Sequence, residues 1–178
     1  MHDCILYAVL AVCAFTDVRE HRIPNVLLAA GMAAGFLCAV HDAWEGGGGL
    51  RLALWAGAGF AGRMIPMIVL GFPFFLLRMA GSGDIKLMAL ISAFLGFGKG
   101  FAAIGAGFCL GAVLSLVRML QMGSVRHRFM YLHAYIRRLL QSRKIEAYYC
   151  PGRDGYRCVI PLGACFFAGT LCMAFWKG

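Results

Sequence analysis

Two aspartates stand where an apolar chain carries little other charge. Asp17 closes the apolar run 4–16, and Asp84 opens the run 85–97 behind the glycines of "MAGSGDIKLM". A carboxylate kept inside or at the edge of a membrane segment is expensive, and it normally faces the bundle interior with a definable partner. The chain has eight acidic residues, and most are excluded as that partner. Asp3, Asp42 and Glu45 fall on the opposite membrane face in the topology argued below, and Glu146 and Asp154 belong to a long polar loop. Asp17 and Glu20 remain, and Asp17 ends a span on the same face as Asp84. Two carboxylates that meet at one depth and share a proton can activate a water for attack on an amide, the general acid/base arrangement of aspartic proteases.

Gly81 and Gly83 immediately precede Asp84. Hydrolysis of a peptide needs an extended substrate segment close to the carboxylate, and residues without side chains leave room for it. The same pair would also serve a plain turn between helices, because a Gly-x-Gly spacing is a short pattern.

The elements that must position these residues are membrane helices. Of 178 residues 61% are hydrophobic, and the mean hydropathy is +0.76, well above a soluble domain of this length. Apolar runs recur at 4–16, 26–40, 50–77, 85–97, 101–120 and 159–176, and the one long polar stretch is 123–157. This pattern predicts an all-α, polytopic bundle of about six transmembrane helices forming a single integral membrane domain over 1–178. The third run contains Arg63 and Pro66; splitting it in two would invert every later loop, so it is read as one tilted or kinked span. The runs ending at Asp17 and beginning after Asp84 are shorter than the ~20 residues of a full crossing. Both aspartates are therefore expected at the membrane boundary of helices that continue past them.

The net charge of +9 marks sidedness rather than nucleic-acid binding. With the first loop cytoplasmic, thirteen of the seventeen Lys and Arg lie inside, while Arg51, Lys99 and Lys177 lie outside and Arg63 is within a span. The positive-inside rule then puts the N-terminus outside. The run 4–16 is read as a retained span and not as a cleaved signal, since no Lys or Arg precedes it.

Six of the eight cysteines lie in apolar runs, where they behave as small hydrophobes; Cys150 and Cys158 fall on the reducing side, and no C-x-x-C pair is present. A cysteine zinc site completed by His127 and His133 would need a coincidence of folding. In the loop 123–157, Phe129, Leu132, Ile136, Leu139 and Leu140 recur at helical spacing among basic residues, which predicts an amphipathic cytoplasmic helix on the lipid surface. No aromatic platform for nucleic acid accompanies it. "EGGGG" at 45–49 reads as a flexible external turn, and Gly57, Gly59 and Gly62 read as sites of close helix packing.

"DVREHRIPN" at 17–25, followed far downstream by "GSGDIKLM" at 81–88, resembles the type IV prepilin peptidases, membrane aspartic proteases of the GxGD class. The segment "VIPLGACFFAGT" at 159–170 is similar to that family's last span, with Ala164 where a second proline is usual. The resemblance implies that Asp17 and Asp84 are the catalytic pair, that Gly81 and Gly83 are the loop glycines, that Lys86 belongs to the same motif, and that Pro24 and Asn25 turn the chain into the second span, with Asn25 able to cap it. It implies removal of a short basic leader, typically after a glycine, from type IV prepilins or pseudopilins at the cytoplasmic face of the bacterial inner membrane. No cofactor or metal is implied. Members that also methylate the new terminus carry an insertion with paired C-x-x-C motifs between the first two spans. Here only residues 18–25 join those spans, so the short, peptidase-only form is expected.

A rival of another class is a proton-coupled transporter, with the aspartates as a proton relay and Arg63 neutralising the cargo. Internal repeats would favour it, and the two halves differ in loop length and charge. A silent membrane scaffold with a structural aspartate pair is the third reading.

Overall fold

The computed structural model describes residues 2–76, 80–121 and 160–175, with isolated helical positions at Met130, His133, Ala134, Arg137 and Gln141. The described residues are mostly helical, with no strand among them: α1 (His2–Glu20), α2 (Asn25–Ala43), α3 (Gly49–Gly62), α4 (Ile65–Leu76), α5 (Ser82–Leu95), α6 (Phe97–Gln121) and α7 (Leu162–Phe175). Apart from those isolated positions, the amphipathic helix expected within 123–157 lies outside the described residues, as do His127, Cys150 and Cys158.

α5 is the centre of the bundle. Ile85 and every residue from Leu87 to Ala93 are buried, and the helix touches α1, α2, α3, α4, α6 and α7. A helix apolar on all sides is either a core helix or a membrane span, and α5 is enclosed by its neighbours on every side. The helices around it invert the soluble pattern. Their inward faces carry small residues, among them Gly31 and Gly35 on α2, Gly57 on α3, and Gly107 and Gly111 on α6. Their outward faces carry Leu54, Trp55, Val69, Phe72, Val113 and Leu120, all more than half exposed. Without water to drive large apolar groups inward, membrane helices pack by bringing small residues into contact. At the α6–α7 crossing this is extreme: a methyl group on Gly169 would collide with the Gly107 backbone and lie 2.7 Å from the Ala103 carbonyl oxygen.

Two helical stretches, 25–76 and 97–121, contain windows long and apolar enough to cross a membrane, with mean hydropathy 1.7 and 2.1. Only 17% and 28% of those windows is buried inside the protein, so they are not the enclosed core helices of a water-soluble fold. Within the first stretch the chain reverses through a wide turn at Trp44–Gly48, where Gly47 (φ 78°) and Gly49 (φ 62°) take conformations that suit glycine.

The third apolar run is kinked, as its Arg and Pro suggest. α3 and α4 are separated only by Arg63 and Met64, and hydrogen bonds from Arg63 N to Gly59 O (3.2 Å) and from Ile68 N to Met64 O (3.1 Å) bracket the break. α5 satisfies the groups freed there. Ser92 Oγ donates to the Arg63 carbonyl (3.0 Å), and Arg63 Nη1 donates to the Ala93 carbonyl (3.2 Å). Arg63 thus ties the kink to the last turns of the central helix.

Candidate active site

On α1 the buried stripe is Leu6, Leu10, Cys13 and Asp17, spaced by three and four residues. Asp17 therefore occupies a core position of an ordinary amphipathic pattern and is only 7% exposed. A buried carboxylate needs donors, and α7 supplies them. The Gly163 N–H donates to Asp17 Oδ2 at 2.7 Å, and the Ala164 N–H reaches the same carboxylate. These are among the free N–H groups of a helix first turn, where the chain after Pro161 has no internal acceptors to offer them. Glycine fits closely here: a methyl group on Gly163 would lie 3.0 Å from Asp17 Oδ2 and 3.4 Å from its Cβ and Cγ, so the carboxylate would have to give way.

α1 continues past Asp17 to Glu20, as expected, and ends at His21 in the left-handed conformation (φ 51°), whose N–H donates to the Asp17 carbonyl (3.0 Å). The left-handed residue reverses the chain into the short connection to α2.

Asp84 sits in the first turn of α5, half-buried, and its Oδ2 accepts from the Gly81 N–H at 3.2 Å. Gly81, extended at φ −72° and ψ 150°, is the residue preceding the helix. One half of a capping box is thus present, the carboxylate three residues into the helix reaching back to the cap N–H. Gly83 allows a close approach of a different kind from the one expected: a methyl group there would lie 3.2 Å from Ile23 Cβ, so the α1–α2 connection packs against the first turn of α5. Asp17 and Asp84 are near enough to interact electrostatically. The structure therefore brings together the two carboxylates, each held by a backbone N–H, at one end of the bundle.

Asn25 does not cap α2. Pro24 (φ −64°, ψ 124°) takes the capping position and offers no side-chain hydrogen bond, while Asn25 is already the first helical residue. Its side chain is engaged elsewhere, with Lys86 Nζ donating to Asn25 Oδ1 at 2.9 Å. The "IPN" and "GDIK" segments are joined by this bond and by the Ile23–Gly83 contact. Sequence reasoning missed Gly163 and Ala164 as holders of Asp17, because their contribution is made by backbone N–H groups that any residue type carries.

A model of the type IV leader peptidase family matches residues 4–116, well over half of the chain. The chain belongs to the type IV leader peptidase family. The matched stretch includes Asp17, Asp84 and everything between them, whereas α7 and its donors to Asp17 lie beyond it. Family membership carries a leader-peptidase activity in general and a protein substrate of the prepilin kind. Comparison with curated proteins and with solved structures gave no match.

Proposed function

We propose that this leader peptidase is an aspartic endopeptidase whose catalytic pair is Asp17 and Asp84. The observation that carries the reading is the pairing itself: two carboxylates far apart in the family-matched stretch, within electrostatic range, each oriented by a backbone N–H from Gly163 or Gly81. In the resting pair one carboxyl holds a proton and the other is ionised. The ionised group takes a proton from a water as its oxygen attacks the substrate carbonyl carbon, and the protonated group gives its proton to the carbonyl oxygen. Collapse of the tetrahedral intermediate breaks the C–N bond as the amine nitrogen receives a proton from one carboxyl of the pair and a hydroxyl of the intermediate returns its proton to the other carboxylate. The products are a new carboxyl terminus and a new amine, and the single shared proton is restored.

The substrate is a type IV prepilin or pseudopilin, and the bond is the one that ends its short basic leader. Six apolar runs and the weight of Lys and Arg on one side support about six membrane passages, an N-terminus outside and a site facing the cytoplasm. No metal or other cofactor takes part in these steps.

The test is cleavage of a synthetic prepilin-like peptide by the purified chain in detergent. Asp17→Asn and Asp84→Asn preserve size while removing the proton-exchanging group, so each is expected to lose turnover and remain folded. Turnover retained by either variant removes that residue from the pair. Sidedness is tested separately: Cys150 and Cys158 should react with an impermeant thiol reagent only after the cells are opened.

A further inference from the structure

Away from the aspartates, the α2–α3 hairpin carries an open groove of about 520 Å³. Asn25, the first residue of α2, is bonded to Lys86 near Asp84, and Trp44, the residue after α2, stands about five helical turns farther along. The groove lies at this Trp44 end. Leu37 and Cys38 of α2, Leu50 and Leu54 of α3, and Trp44 line it, and Ala53, fully buried, contributes only a methyl group. Leu37, Trp44, Leu50 and Leu54 are each more than half exposed, so the groove opens outward from the helix pair.

Charges of both signs flank these apolar walls. His41 also lines the groove, and its ring nitrogens lie 3.9 Å from Asp42 Oδ1 and 3.5 Å from Glu45 Oε1, so both carboxylates stand at the rim. On the other helix, Arg51 follows Leu50 and precedes Leu54 by one turn. It is exposed and has no ion-pair partner among the described residues. Two carboxylates on the α2 side and one guanidinium on the α3 side thus accompany one apolar slot. A tryptophan at the same end suits a membrane–water boundary, where indole rings gather.

We propose that this groove is a binding site for one phospholipid with an ammonium headgroup. An acyl chain lies among Leu37, Leu50 and Leu54, the phosphate meets Arg51, and the ammonium meets Asp42 and Glu45. The setting selects a lipid, because the apolar window of the stretch 25–76 is only 17% buried inside the protein and acyl chains are what surrounds such a helix. The charges select the headgroup. A guanidinium matches a phosphate with two parallel N–H···O bonds, and a primary ammonium brings three donors to the carboxylates. An anionic lipid without an amine would satisfy Arg51 but set no positive charge against Asp42 and Glu45. A choline headgroup carries the charge with no N–H to donate.

The experiment uses the full chain purified in detergent and three lipids with identical acyl chains: phosphatidylethanolamine, phosphatidylcholine and phosphatidylglycerol. Binding is read by native mass spectrometry and by the rise in unfolding temperature on titration. The parent is expected to hold one phosphatidylethanolamine about tenfold more tightly than either other lipid, the size of one charge-assisted hydrogen bond. Asp42→Asn combined with Glu45→Gln should bring the ethanolamine and choline lipids to within about twofold of each other, and Arg51→Gln should weaken all three about tenfold. Arg22→Gln, an exposed arginine at the aspartate end, should change none of them. Equal retention of the three lipids by the parent overturns the proposal. So does a preference unchanged in the carboxylate variant, or a loss in Arg22→Gln as large as in Arg51→Gln. Glycerophosphoethanolamine, the same headgroup without acyl chains, should not displace the lipid at equal concentration, and displacement would overturn the apolar part of the site. Phosphatidylethanolamine with a photoreactive acyl chain gives a second reading on the unaltered chain. Cross-links are expected on α2 and α3 residues of the groove, and cross-links confined to other helices overturn the proposal even if a variant does not fold.

Discussion

The Gly163 N–H lies 2.7 Å from Asp17 Oδ2, and the space a side chain would need on Gly163 is filled by the same carboxylate. One residue thus supplies the donor and, by lacking a side chain, the room. Gly163→Ala should push the α7 first turn away from Asp17 and lengthen that bond. A hydrogen bond to a charged group is worth roughly 1.5–3 kcal/mol, which corresponds to a loss of about tenfold to a hundredfold in turnover if it is made in the transition state. The check is kcat on a prepilin-like peptide beside thermal unfolding; normal turnover would reduce α7 to a packing element.

The two aspartates should fail as a unit. If each single Asp→Asn change already disables the pair, Asp17→Asn together with Asp84→Asn costs hardly more than either alone, because groups that act together are strongly non-additive. Residual activity of the double variant equal to the product of the two single losses would mean that the carboxylates act separately.

These cases separate what was legible in the sequence from what was not. Asp17 could be found because a carboxylate that ends an apolar run is conspicuous by type, and Asp84 because it follows Gly81 and Gly83 at the opening of another run. The helices follow the apolar runs, and the kink at Arg63 falls in the one run that holds both an arginine and a proline. The Gly163 donor was hidden because a backbone N–H leaves no mark on residue type. Asn25 misled for a related reason: its chemistry suits a cap, but Pro24 holds that place, and the partner that claims its side chain, Lys86, is remote in sequence and near only after folding.

The Lys86–Asn25 bond should behave as a clamp between the α1–α2 connection and α5. Lys86→Met and Asn25→Ala are each expected to lower turnover, and the double variant should be no worse than the more damaging single change. Both side chains are exposed, so the coupling should be modest, about 0.5–1.5 kcal/mol by a double-mutant cycle. Fully additive losses in kcat would show that the two residues work independently.

Arg63→Gln separates a staple from a charge needed for function. The shorter side chain cannot span from the kink to the Ala93 carbonyl, so an acceptor near the end of α5 loses its donor. Thermal stability should fall by roughly 1–3 kcal/mol, with kcat within about twofold of the parent, because Arg63 lies at the far end of α5 from Asp84. Loss of turnover at unchanged stability would assign Arg63 a part in the reaction.

Gly83→Ala and Gly57→Ala should split activity from stability. A methyl group on Gly57 would lie 2.7 Å from the Phe36 ring and 3.0 Å from Val40, a collision inside the α2–α3 contact and away from both aspartates. The Phe36 ring is 40% exposed and can swing outward, so the change should lower stability by about 1 kcal/mol and leave kcat in place. A methyl group on Gly83 would lie 3.2 Å from Ile23 Cβ and 3.7 Å from the Ile23 carbonyl oxygen, so the α1–α2 connection must retreat from the first turn of α5. That connection begins at His21, whose N–H is bonded to the Asp17 carbonyl, so the retreat is transmitted to one aspartate from the turn that carries the other. Gly83→Ala should therefore lower kcat several-fold with little change in unfolding temperature. If Gly83→Ala cuts normally while Gly57→Ala does not, the packing of Ile23 on Gly83 has no part in holding the pair, and the alignment of Asp17 with Asp84 rests on the backbone donors of Gly163 and Gly81 alone.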